Sequence, residues 1–143
     1  MIPCLSILTC WFTPIRYVLR CTFKLSWHSK DLSASAITLW ISRQLLREYL
    51  ATLSRPQTFS APVAPAALVA DVVRFQTQFL IAEDGPLATS NLLGLLSTYS
   101  LGGKQVHDAN IVATMQVQGI RQILTNNVAD FSRFGSLITV IPL

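Results

Sequence analysis

Apolar residues recur at helical spacing through Ile41, Leu45, Leu46, Tyr49, Leu50 and Leu53, covering one half of a helical wheel. Ser42 stands where an N-cap belongs, and Pro56 stops the helix. Just ahead, Leu39-Trp40-Ile41 reads as a short extended entry. After a loop from Arg55 to Pro65, the positions Leu68, Val69, Val72, Phe75, Phe79 and Leu80 predict a second amphipathic helix, ending before Asp84-Gly85-Pro86. A third helix is expected from Thr89 to about Tyr99, closed by Gly102-Gly103. Beyond it the rhythm changes. The spacing predicts a helix from Asp108 to Gln118 with Gly119 as its C′ residue, then a buried strand over Gln122-Ile123-Leu124-Thr125. A last strand is expected over Leu137-Ile138-Thr139-Val140-Ile141, ended by Pro142. Helices alternating with short apolar strands predict a layered α/β fold with a mainly parallel sheet.

Composition narrows the class. The chain has 143 residues, 51% of them apolar and 13% charged, against a usual charged share of about 25%. That excludes a disordered or coiled-coil chain and leaves one sizeable core. The uncharged run from Met1 to Ile15 is shorter than the ~20 apolar residues of a spanning helix, so a polytopic membrane protein is excluded too. The net charge of +4 lies wholly in residues 1–30, which contain Arg16, Arg20, Lys24 and Lys30 and no acid. Cys4, Cys10 and Cys21 fall in the same segment, without the paired spacing of a zinc site or a disulfide framework. Residues 1–36 are therefore read as an atypical N-terminal segment, and residues 37–143 as the domain.

With only seven acids in the chain, each one can be weighed. Glu48 lies at the border of the apolar arc of its helix, either solvated or turned toward a site at the rim of the sheet. Asp108 opens a helix, where a carboxylate is favoured by the dipole; it is either a plain N-cap or a site residue. Asp130 comes just past a strand's carboxyl end, where open α/β sheets bind ligands, and is otherwise an ordinary loop residue.

Three ordered blocks carry a resemblance. Gly103-Lys104-Gln105-Val106-His107-Asp108-Ala109-Asn110-Ile111-Val112-Ala113 resembles the G-K-x-x-H-D-A-x-[IL]-[VI]-A motif of PIN-domain proteins. Leu124-Thr125-Asn126-Asn127-Val128-Ala129-Asp130-Phe131 is similar to that family's L-T-x-[ND]-x-x-D-F segment. Upstream, Ile41 to Tyr49 resembles the helix that bears the family's second acid. Within the family the chain looks most like toxins of VapC-type toxin–antitoxin pairs.

The resemblance implies a three-layer α/β/α fold and a metal-dependent endoribonuclease. Glu48, Asp108 and Asp130 would be its metal-holding, catalytic carboxylates for Mg²⁺ or Mn²⁺, with Thr125 and Asn127 in support. It also implies an RNA substrate, a cognate antitoxin, a homodimer, a cytoplasmic location and no membrane partner. Hard divalent cations take oxygen ligands, which is why acids carry such a site.

The front of the chain departs from the pattern. The family opens with a strand ending in Asp-[TSA]-[NS], whose aspartate is a principal metal ligand. Residues 1–30 hold no such acid, and Asp31 follows no strand-like run. The N-terminal strand is thus expected to be atypical or missing. A frameshift near the start of the gene, or a misassigned start, produces this pattern; reading the upstream nucleotides in three frames for that strand tests it. Two functions follow: an endoribonuclease of impaired activity, or an inactive remnant that only binds an antitoxin or itself.

Overall fold

The computed structural model describes the backbone of residues 5–9, and residues 38–56 and 62–142 with their side chains. Among these residues five strands form one all-parallel sheet in the order β3-β2-β1-β4-β5. They are β1 (Leu5–Thr9), β2 (Thr38–Ser42), β3 (Leu80–Ala82), β4 (Gln122–Thr125) and β5 (Thr139–Pro142). The helices are α1 (Arg43–Leu53), α2 (Pro65–Gln78), α3 (Pro86–Tyr99), α4 (Gln105–Val117) and α5 (Val128–Ser132).

Strand side chains alternate between faces, and here the alternation sorts two cores. Trp40, Ala82, Ile123 and Val140 pack with Leu95 of α3, Ile111, Val112 and Met115 of α4, and Phe131 of α5. Their neighbours Ile41, Ile81 and Leu124 pack on the other face with Leu45, Leu46 and Tyr49 of α1 and Leu68 and Phe75 of α2. Both faces of a parallel sheet must be covered, and this chain does so with helices on each side. The result is a three-layer α/β/α fold.

On the second face, α1 and α2 are pinned by a buried polar contact. The Tyr49 hydroxyl donates to Asp71 Oδ2 at 2.5 Å. The Tyr49 ring meets Phe75 edge-on at 5.3 Å.

The expected elements are present, with shifted ends. Ser42 is the N-cap of α1, its Oγ accepting from the Leu45 N–H at 3.1 Å. The second helix ends earlier than expected, at Gln78, because Phe79 takes an extended conformation and Leu80 enters β3 beside Trp40. Pro86 starts α3 three residues before Thr89, at the first helical turn where its missing N–H costs nothing. Helix α4 begins at Gln105, so Asp108 sits within its first turn and is not its N-cap. Gly119 follows α4 at φ 68°, the left-handed conformation of a C′ residue. The last strand begins at Thr139; Leu137 and Ile138 precede it, turned by bonds from their N–H groups to the Phe134 carbonyl.

The N-terminal strand is not missing. β1 occupies the centre of the sheet, pairing with β2 through Ile7 beside Trp40 and with β4 through Thr9 beside Thr125. The chain winds from β1 to β2 and β3 on one side, then crosses to β4 and β5 on the other. The β1–β4 boundary is therefore the topological switch point, whose carboxyl end is the expected place for a ligand. Asp31 lies outside the described residues.

Candidate active site at the carboxyl end of the sheet

Glu48, Asp108 and Asp130 arrive from three different elements. The β2–α1 junction is nearly continuous, so Ser42 caps α1 and Glu48 falls in its second turn, half-buried. The Gln44 side chain, one turn back and buried, donates from Nε2 to Glu48 Oε1 at 2.7 Å. The same Nε2 donates to the His107 carbonyl at 3.2 Å, tying α1 to the start of α4. Asn110 completes the link, its Nδ2 donating to Gln44 Oε1 at 2.8 Å. Glu48 is thus turned toward α4 rather than left to solvent.

Asp108 is the buried member, 4% exposed. Its Oδ1 has no hydrogen-bond partner among the described residues. Burial pushes its carboxyl up from 3.8 to about 6, and the negative charge of Asp130 adds to the rise. Glu48 contributes in the same direction, while Arg133 and His107 oppose it. The carboxylates of α1, α4 and α5 therefore share one electrostatic neighbourhood, in which Asp108 is the group under strain.

Asp130 stands in the first turn of the short helix α5, just past β4. Thr125, fully buried at the end of β4, accepts on Oγ1 from the Asn127 N–H at 2.9 Å. Asn127 Nδ2 in turn donates to Asp130 Oδ2 at 2.6 Å. Arg133 reaches back one turn, with Nε on the Asp130 carbonyl at 3.0 Å and a guanidinium nitrogen 3.8 Å from Oδ1. Both supporting residues read from the sequence hence act on Asp130, and Arg133 joins them. Its spacing of three from Asp130 was the available signal. Gln44 carried the same kind of signal, four residues before Glu48, whereas Asn110 carried none.

Among the described residues no group of three or more His, Cys, Asp and Glu side chains is set to hold a metal ion. A preformed three-carboxylate cage is therefore absent from that part of the chain. A hard cation still suits Asp108 and Asp130. Mg²⁺ is usually bound by one or two carboxylates, with water and substrate phosphates completing its shell. The buried, unpartnered Oδ1 of Asp108 is an oxygen that such an ion would satisfy, and its charge would relieve the Asp108–Asp130 repulsion. The strand-end aspartate of the family's pattern, additional to Glu48, Asp108 and Asp130, has no counterpart at the end of β1, where the sequence reads Leu8-Thr9-Cys10.

The arrangement matches solved structures along nearly the whole chain. VapBC2 from Rickettsia felis, bound to a DNA fragment from its promoter, superposes with a TM-score of 0.67 at 18% identity, over 97% of this chain and 98% of that one. VapBC-1 from nontypeable Haemophilus influenzae gives 0.64 at 12% identity, over 96% and 97%. DNA-bound VapBC from Salmonella typhimurium gives 0.61 at 15%, over 99% and 98%. The fold is PIN-like. No family model matches the chain, and no curated protein does. The PIN-like fold accounts for what the sequence alone left open. It brings a helix after β2, the first turn of α4 and the turn after β4 to one end of one sheet.

Proposed function

We propose that this chain is a metal-dependent endoribonuclease of the VapC toxin kind, hydrolysing RNA phosphodiester bonds and paired with a cognate antitoxin. The observation that carries the reading is Asp108, buried with an unpartnered carboxylate oxygen and coupled to Asp130 and Glu48 at the switch point of a PIN-like sheet. Asp108 and Asp130 are the groups that would hold Mg²⁺ or Mn²⁺. Such an ion, when bound, activates a water and offsets negative charge developing on the phosphate. The chain's own contribution is positional. Asn127 fixes Asp130 Oδ2, Thr125 fixes Asn127, and Arg133 limits the charge on the cluster. Glu48, with Oε1 held by Gln44, has Oε2 left to accept a proton from the attacking water.

The likeness to VapBC complexes supports an antitoxin as partner, and we extend it to a homodimer acting in the cytoplasm. No helix among the described residues is long and apolar enough to cross a membrane. A second reading, an inactive remnant that only binds an antitoxin or itself, is favoured by one observation. The central strand ends at Thr9, and neither Thr9 nor Cys10, next in sequence, carries a carboxylate. Incubating the purified chain with single-stranded RNA separates the two. Cleavage that needs Mg²⁺ or Mn²⁺, stops with chelator and is lost in Asp108→Asn supports the nuclease. Intact RNA under every divalent cation leaves the binding remnant.

A further inference from the structure

Beside Glu48 a cleft of about 370 Å³ opens between α1, α3 and α4. That is at the small end of ligand pockets, with room for a single nucleotide and none for a duplex. Leu92 and Val106 give it an apolar wall, while Arg47 and His107 stand exposed at its rim.

The amides in the cleft have a fixed orientation. Gln44 faces two groups that only accept, Glu48 Oε1 and the His107 carbonyl, so both must receive its NH₂. Its Oε1 therefore faces Asn110, and Asn110 must answer with its own NH₂. One Asn110 N–H is consumed in this way. A second N–H and the carbonyl Oδ1 remain on a residue that lines the cleft. An adjacent donor and acceptor is the pattern with which an asparagine addresses a nucleobase edge.

We propose that this cleft takes one unpaired nucleobase of a single-stranded RNA, its edge read by Asn110 and its faces flanked by Arg47 and His107. The proposal rests on the ribonuclease reading above and deepens it. Proteins recognise RNA sequence mainly through splayed-out bases, stacked on aromatic rings or guanidinium planes and bonded along their edges. Arg47 suits the role because its ion pair with Asp84 engages the guanidinium nitrogens and steadies the plane.

The test is fluorescence anisotropy of labelled short single-stranded RNA with the full chain, Ca²⁺ replacing Mg²⁺, while one abasic nucleotide is stepped along the strand. Loss of the base at one position is expected to weaken binding about tenfold, within the range of a bidentate base contact. Asn110→Leu should bind intact and abasic strands alike. Should that variant not fold, Arg47→Gln on the exposed rim makes the same test and should shrink the difference severalfold. If every abasic strand binds as tightly as the intact one, or if a folded Asn110→Leu keeps the full difference, the base pocket is wrong and the nuclease reading stands. If no RNA binds at all, both fail.

Discussion

Asn127 donates from its side-chain amide to Asp130 Oδ2 at 2.6 Å, within a single turn that starts at the end of β4. The bond fixes one carboxylate oxygen of a half-exposed acid and leaves the other to Arg133 and to any cation. The supporting group need only hold Asp130, and an N–H does that without adding negative charge beside Asp108.

Asn127→Ala is therefore expected to weaken divalent-cation binding by about 10- to 100-fold, as loss of a group that orients a metal ligand does elsewhere. Stability should change by no more than about 1 kcal/mol, the net worth of one partly exposed hydrogen bond. Calorimetric titration with Mn²⁺ and chemical denaturation of the same variant measure the two effects. A variant as unstable as a core truncation would show that Asn127 holds the fold rather than the site.

Asp108 sets a pH dependence with a definite sign. Its carboxyl is raised from 3.8 to about 6 in the folded chain, so the native state binds the proton more tightly than the unfolded state does. Its contribution is fully present below about pH 4 and is lost as pH rises through about 6. The loss amounts to at most about 3 kcal/mol, since each tenfold change in proton affinity is worth about 1.4 kcal/mol. Asp108→Asn should thus be more stable than the parent at pH 7, with the gap closing toward pH 4, while cleavage is abolished. Urea denaturation of both proteins between pH 4 and 7.5 measures this; a variant less stable at pH 7 contradicts it.

The buried pair on the opposite face gives a control. Removing the hydroxyl in Tyr49→Phe leaves Asp71 Oδ2, with Asp71 only 8% exposed, without that donor. The expected cost is about 1–3 kcal/mol, moderated because Arg74 stays bonded to the other oxygen. Metal binding should not change, since α2 supplies nothing to the site. Melting curves and Mn²⁺ titration of this variant check both halves of the expectation.

On the proposed nuclease reading, the end of β1 is expected to govern the rate. Replacing the first 35 or so residues with a strand ending in Asp-Thr-Asn would add a carboxylate where Thr9 now pairs beside Thr125. A better-held ion should raise RNA cleavage by about 100-fold, the scale on which ~1 Å of misplacement acts. Equal rates for the parent and the repaired chain, both abolished by Glu48→Gln, would show that the missing aspartate is immaterial.

Much of this was legible in the sequence because long periodic segments announce themselves. The α1 stripe from Ile41 to Leu53, its Ser42 cap and the Gly119 terminus needed only local rules. What escaped were elements made by pairing. β3 is three residues long and begins with a half-exposed Leu80 that continues a helical period, so only its register against Trp40 makes it a strand. α5 is a single turn, shorter than any periodicity can resolve. At the site, the acids were visible as residue types. The coupling of Asp108 to Asp130, and the amide chain through Gln44 and Asn110, exist only once three elements meet.

The central claim is that Asp108 and Asp130 together hold a hard divalent cation. Electron paramagnetic resonance of Mn²⁺ titrated into the full chain at pH 7.5 tests it most directly. Bound Mn²⁺ loses its free-ion signal whether or not RNA is cut. The account predicts one saturable site, displaced by excess Mg²⁺, weakened at pH 5 as Asp108 takes up its proton, and absent from the Asp108→Asn, Asp130→Asn double variant. A parent chain that leaves the free-ion signal unchanged, or a double variant that binds as the parent does, would contradict it.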